Sequence, residues 1–234
     1  MSLPERPGRS DGDQTRARVL EAAGALIAQR GFADTPNKLI AQAAGVDQAS
    51  INYHFGTRNG LYQATLVEAH RRVITLDRLQ DIDAGGGSPA QKIRHLIEAV
   101  VDSMPRRDGW HAAIFARELL SPSPNLQVLM TDEVLPKIAL LQRFIAAYTG
   151  IPEGHPALAR CVVSVVAPCL MLMIAGRGLP GPVHQTLRAP RAELVEHLYA
   201  FSVAGLKAVA SGMSQRAARR PRTGGAAASR AASA

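Results

Sequence analysis

Residues 35–62 read TPNKLIAQAAGVDQASINYHFGTRNGLY, and the reading of this stretch decides the fold. Thr35 is placed to accept from the first free N–H groups of a helix, and Pro36 fits a first helical position, where no backbone donor is needed. A short helix follows over Lys38 to Ala44. Gly45 supplies the turn, expected with positive φ, and Val46 plugs back into the core. Asp47 caps a second short helix, Gln48 to Tyr53. Ile40, Ala44, Val46, Ile51 and Phe55 are the apolar pegs, and Ala41 is small enough for a close crossing. Thr57 caps a third helix, predicted to run to about Gln80. Cap, turn glycine and pegs agree on a helix-turn-helix, whose second helix enters the major groove of DNA.

With Val46, Ile51 and Phe55 buried, that second helix leaves Gln48, Ala49, Ser50, Asn52, Tyr53 and His54 outward. Gln48 and Asn52 lie four apart and share a face, and amides of this kind read adenine N6/N7. Ala49 offers a methyl to thymine. Tyr53 and His54 sit at the helix end, where phosphate is nearer than bases. Thr57 and Arg58 open the next helix, whose N-terminal N–H groups favour an anion. Thr35 and Lys38 complete the expected DNA-binding set. An ordinary surface role fits Ser50 and Lys38 equally well; for the group together it does not.

These residues also carry a resemblance. TRARVLEAAGALIAQRGFADT at 15–35, IAQAAGV at 40–46 and INYHFGTRNGLYQATL at 51–66 resemble the amino-terminal domain of TetR-type transcriptional repressors. INYHFG, with ARELLSPSP at Ala116 to Pro124, is similar to the CecR-like branch. The resemblance implies phosphate contacts for Tyr53 and His54, a homodimer, and release by a small molecule. Two departures from it stand out: Leu39 stands where an acid is usual, and Asn59-Gly60 replaces a usual Glu-Ala pair. Gly60 is expected to weaken the first turn of its helix.

Outward from this stretch, helix 1 is expected from about Thr15 to Arg30, with Val19, Leu20, Ala23, Leu26 and Ile27 in one apolar stripe. Residues 1–13 read as a disordered arm, and Arg6 and Arg9 could reach a minor groove. A solvated tail is the simpler reading of those two arginines. DIDAGGGSPA at 81–90 breaks the chain. Helices follow over Pro89 to Met104, Trp110 to Leu120 and Asn125 to Tyr148, the last expected to kink or divide at Pro136. Residues 178–190 read as a loop, and Arg191 to Ser211 as the last helix.

The expected fold is all-α: a helix-turn-helix DNA-binding domain at 14–62, then a helical-bundle ligand-binding and dimerisation domain at 63–212. A disordered basic tail covers 213–234. The net charge is +8, and the tail's Arg216, Arg219, Arg220, Arg222 and Arg230 supply +5 of it, leaving +3 for the body. Charge alone therefore does not argue for nucleic acid; the helix-turn-helix does.

Ala157 to Gly176 is nearly all apolar, but the 16 uncharged residues between Arg160 and Arg177 fall short of the ~20 that span a bilayer. A helix apolar on every side suits packing on its own domain and on a partner subunit. Paired across a two-fold axis, the last two long helices make a four-helix bundle and a homodimer.

The middle of the chain is the expected home of a small-molecule effector, hydrophobic in character by the resemblance. Trp110, His111, Phe115, Arg117, Glu118, Phe144, Tyr148, Met171 and Met173 are the candidates. For each singly, a core or structural role is the commoner use of such a residue. Cys161 and Cys169, eight apart, stand ~12 Å apart on a helix, too far for a disulfide between them. No ligand spacing suggests a metal, and no cofactor is expected. His95, His111, His155, His184 and His197 are scattered without a nucleophile motif, so no catalytic residues are assigned. The expectation is a cytoplasmic, non-enzymatic repressor on a palindromic operator, with no membrane partner. The rival reading is a sequence-indifferent, chromosome-organising protein that binds through the arginine tail.

Overall fold

A computed structural model describes residues 11–104, 109–175 and 181–219. Among them every regular element is helical. Three helices form the amino-terminal unit: α1 (Asp11–Arg30), α2 (Asn37–Ala44) and α3 (Gln48–Phe55). Helix α1 begins four residues ahead of the expected Thr15. Asp11 and Asp13 lie in its first turn, where acids complement the helix dipole. Helix α4 (Arg58–Arg71) ends well short of Gln80. The chain restarts as α5 (Leu76–Ala84), where the Thr75 hydroxyl accepts from the Arg78 N–H at 3.1 Å.

Helix α6 (Pro89–Ser103) opens on a reciprocal cap between Ser88 and Gln91. Helix α7 (Trp110–Leu120) is followed by one unbroken helical run: α8 (Leu126–Leu129), a π-turn over Met130–Val134, and α9 (Leu135–Thr149). The expected kink at Pro136 is this widened turn. The proline has no N–H to give, and its ring would crowd the carbonyl four residues back. Helix α10 (Pro156–Ala175), the short α11 (Pro182–Thr186) inside the expected loop, and α12 (Arg191–Arg219) complete the elements among the described residues. Helix α12 runs past the expected Ser211 and through Gly212 to Arg219, over a stretch where Met, Gln, Arg and Ala continue a helix readily. Arg6, Arg9, Arg177, Arg220, Arg222 and Arg230 lie outside the described residues.

The helices share two apolar cores. The larger joins α5, α6, α9, α10 and α12 through Leu79, Ile97, Phe144, Leu158 and Leu198, among others. The smaller joins α1 to α4 through Val19, Ile27, Ile40, Ile51 and Leu61. It also takes Trp110 and Ile114 of α7 and Leu129 of α8, residues far along the chain. Trp110 is 4% exposed, and its indole N–H donates to Glu21 at 3.0 Å. A Cβ placed on Gly24 would meet the Trp110 ring at 2.3 Å, so a side chain there would exclude the indole. Helix α10 is long and apolar enough to cross a membrane by length and composition. It packs against α6, α7, α9 and α12 of the bundle.

Candidate nucleic-acid interface

The turn that positions α3 is built as its residues dictate. Gly45 takes the left-handed conformation (φ 64°), and its N–H and that of Val46 close α2 on the Gln42 and Ala41 carbonyls. The Asp47 carboxylate accepts from the Ser50 N–H and hydroxyl, each at 2.6 Å. Those two hydrogen bonds, the hydroxyl's first, hold the Asp47 carboxyl below its usual range. Ile51 is fully buried beneath α3. The opposite face is then open: Gln48, Ala49 and Asn52 are exposed, and Tyr53 is 85% exposed with its ring edge-on to His54 at 5.1 Å. Lys38 of α2 is exposed and His54 half-buried.

Four expected positions are engaged within the fold. Thr35 is fully buried; its hydroxyl donates to the Gly31 carbonyl at 2.6 Å rather than capping α2, so its side chain presents nothing outward. Its neighbour Pro36 is the residue that caps α2, with no side-chain bond. Ser50 is half-buried and spends its hydroxyl on Asp47. Thr57 caps α4 as expected, accepting from the Gly60 N–H at 3.0 Å. The Arg58 guanidinium ties down the α1–α2 loop, donating to the Phe32 and Ala33 carbonyls at 2.5 and 2.9 Å and stacking 4.5 Å above the Phe32 ring. Gly60 has a positive use that its helix propensity hides: a Cβ there would lie 2.2 Å from the Phe55 carbonyl oxygen.

The nine effector candidates do not gather on one wall. Trp110 belongs to the amino-terminal core. Glu118 is buried and accepts from the Tyr62 hydroxyl at 2.5 Å and from the Ser123 N–H and hydroxyl at 3.1 Å. Burial and then this carboxylate push the Tyr62 phenol well above its usual range. Arg117 is exposed beside Gly31. Tyr148 is half-buried, with its hydroxyl 3.5 Å from the Val203 carbonyl. Met173 is buried in the larger core, whereas Met171 is 61% exposed on the outer face of α10. His111 is buried on α7, and Phe115 stacks on His70 at 5.5 Å. Phe144 alone of the nine borders the open cleft of about 470 Å³ between the start of α6 and the end of α9. Asp83, Lys92, Arg143 and Ile151 line it too.

Sequence reading missed the polar cluster where α4 meets the π-turn. The Lys137 ammonium lies 2.8 Å from His70 Nδ1 and 3.1 Å from the Glu133 carboxylate, which also accepts from Arg71 at 2.7 Å. A lysine ammonium has only protons to give, so His70 must accept, and is neutral. Burial, then the Lys137 charge, lowers His70 to about 4, against an opposing pull from Glu133. Burial lowers Lys137 as well. Burial pushes Glu133 upward, but Arg71 and Lys137 together hold it below its usual range. The i, i+4 spacing of Glu133 and Lys137 was the available signal.

The cluster predicts a pH effect on stability. Free histidine protonates near 6.5 and His70 near 4, so below 6.5 the unfolded chain binds a proton that the folded chain refuses. This contribution is complete above pH 6.5 and falls away toward pH 4. Urea unfolding should show about 2 kcal/mol lost between pH 7.5 and pH 5 through this group. The His70→Gln chain should lose correspondingly less; an equal loss in both chains would remove His70 from the account.

Comparison with known proteins agrees with this geometry. The profile of the family described as "Bacterial regulatory proteins, tetR family" matches residues 19–65. That of the "HTH-type transcriptional dual regulator CecR, C-terminal domain" matches residues 89–206, half of the chain. The transcriptional regulator TtgR of Pseudomonas putida is 31% identical over 106 residues, which are 44% of this chain and 50% of TtgR. The chain thus spans about half the length of the curated relatives it matches.

Among solved structures, the fatty acid degradation regulator FadR of Bacillus halodurans superposes with a TM-score of 0.65 at 15% identity, covering 88% of this chain and 99% of that one. FadR of Bacillus subtilis, solved with stearoyl-CoA, gives 0.63 at 15% identity over 81% and 98%. A TetR-like regulator from Rhodococcus sp. RHA1 gives 0.59 at 16% identity over 86% and 98%. At these identities the likeness shows the fold. Taken with the capped reading helix and the CecR-type bundle, the two profile matches establish that this chain belongs to the TetR family of transcriptional regulators.

Proposed function

We propose that the chain is a ligand-responsive transcriptional repressor that binds a palindromic DNA operator as a homodimer in the cytoplasm and is released by a small hydrophobic molecule. The observation that carries the reading is α3, capped by Asp47 and seated on Ile51, with Gln48, Ala49, Asn52 and Tyr53 facing outward together. Gln48 and Asn52 are assigned to bases, and Tyr53, His54 and Lys38 to phosphates. Thr57 and Arg58 are assigned to phosphate at the α4 N-terminus, whose first turn Thr57 caps. Thr35 acts only by holding the α1–α2 loop. The effector class follows from family membership and from the stearoyl-CoA that the Bacillus subtilis FadR structure contains. Ligand binding favours a conformation in which the two readers no longer match the half-sites, and affinity falls.

Dimerisation is supported by two open faces. Helix α10 leaves Ala159, Val163, Ala167 and Met171 exposed at intervals of four. Helix α12 leaves Phe201, Ala204, Gly205 and Ala208 exposed, with Phe201 at 74%. Small residues between larger apolar ones let helices approach closely, and a two-fold axis brings each face onto its copy. Sedimentation should find two protomers for the native chain and one for Phe201→Asp. The same substitution should weaken binding to the palindromic duplex at least 100-fold, because a lone half-site is left. A Phe201→Asp chain that stays dimeric at micromolar concentration would move the interface elsewhere.

A further inference from the structure

The helical run from Leu126 to Thr149 serves both cores, and the change of allegiance falls at the π-turn. Ahead of it, Leu129 is buried in the amino-terminal core with Leu126 packed against the same cluster, and Val134, the last residue of the turn, packs there too. Asn125, just before α8, donates to Asn59 of α4 at 3.0 Å. Beyond it, Leu140, Leu141, Phe144 and Ile145 belong to the larger core. The Leu135 N–H reaches back five residues to the Met130 carbonyl, so the turn holds one residue more than an α-helical turn would. Glu133, inside the turn, and Lys137, one turn later, grip the last turn of α4 through Arg71 and His70.

We propose that this π-turn couples the effector bundle to the DNA reader: winding it into α-helix rotates Leu126–Leu129 against Leu140–Ile145 and withdraws Glu133 from α4. The inference rests on the regulator reading of the chain. One residue of helix is about 100° of rotation and ~1.5 Å of rise, enough to take Leu129 out of its present seat in the reader core. The change is all-or-none rather than graded, for two reasons. Leu129 and Glu133 lie in close-packed surroundings that admit discrete arrangements. Two cations, Arg71 and Lys137, also share one carboxylate, and Lys137 is 4% exposed. Withdrawing Glu133 therefore leaves Lys137 buried without its counter-charge, which separates the two states. Pro136 holds the widened state, since it cannot donate to the carbonyl that an α-helical turn would offer it.

The test compares Glu133→Gln in two backgrounds. One is the full chain with Pro136→Ala, which is free to wind. The other carries Pro136→Ala together with deletion of Asp132, an exposed residue of the π-turn. That deletion removes the extra residue while leaving the segments on either side in their present orientation. Trp110 is the only tryptophan, so its emission reports the seat of α7 on the reader. The DNA probe is the duplex that the native chain enriches from a random pool.

In the free background Glu133→Gln should shift Trp110 emission and change affinity for that duplex at least tenfold. In the deletion background both readouts should hold within twofold. Equal effects in the two backgrounds would mean that Glu133 only stabilises the fold, and no effect in either would mean that the turn is inert; each overturns the proposal. Should the deletion chain not fold by circular dichroism, an unshifted Trp110 emission in the free background overturns it alone. A native chain that enriches no duplex refutes the regulator reading instead, and the emission readout still decides the coupling.

Discussion

Trp110→Ala is expected to cost about 4 kcal/mol, the usual loss for emptying a buried indole site. The ring fills the notch at Gly24, its N–H is bonded to Glu21, and the Arg72 guanidinium lies 4.5 Å from the ring centroid. The loss should fall on the union of α7 with α1 and α4, since Ile114 and Glu118 follow Trp110 on the same face of α7. Gly24→Ala tests the same contact from the other side. In the native chain its methyl collides with the indole, and overpacking of this kind costs about 1–3 kcal/mol. In the Trp110→Ala chain the obstruction is gone, and alanine should instead stabilise α1 by up to about 1 kcal/mol. Thermal and urea unfolding of the four chains would show this reversal of sign. An unchanged sign would mean that Gly24 and Trp110 do not meet.

On DNA, Gln48→Ala and Asn52→Ala should each remove about 1–3 kcal/mol of discrimination at one base step, with little effect on unrelated duplexes. Both side chains are exposed, one turn apart, on a helix whose cap and core residues remain in place. Tyr53→Ala should behave differently. A phosphate contact carries no base identity, so specific and non-specific duplexes should weaken together. Competition titrations against single-base variants of the preferred duplex separate the two patterns. Native-like discrimination by both amide variants would remove α3 as the reading surface.

The elements most legible in sequence are those held by local chemistry. Gly45, Asp47 and Thr57 act on neighbours within four residues, and each does what its residue type implies. The long apolar stretch behind α10 was legible for the same reason. Thr35 was misread because a threonine ahead of a helix usually caps it. Here Pro36 holds the cap position, and the buried Thr35 hydroxyl donates back to the Gly31 carbonyl.

The contacts around α7 were not legible for a different reason. Trp110 and Glu118 looked like ligand-facing residues because their partners, Gly24 and Tyr62, lie more than fifty residues away in sequence. A glycine on the apolar face of α1 was the visible trace of that contact. It reads as an ordinary helix-weakening residue until the indole is seen in the notch. The break after Arg71 and the π-turn are likewise set by packing between elements, with Thr75 and Pro136 as their only local marks.

The central claim is specific recognition of DNA by a two-fold pair of readers. The direct measurement is selection of genomic fragments by the purified native chain at physiological salt. The account predicts one enriched palindromic motif, with half-sites about one helical turn apart or a multiple of it, as two α3 helices on one face of the duplex require. Enrichment without a motif, abolished by removing residues 213–234, would contradict it and assign binding to the arginine-rich tail.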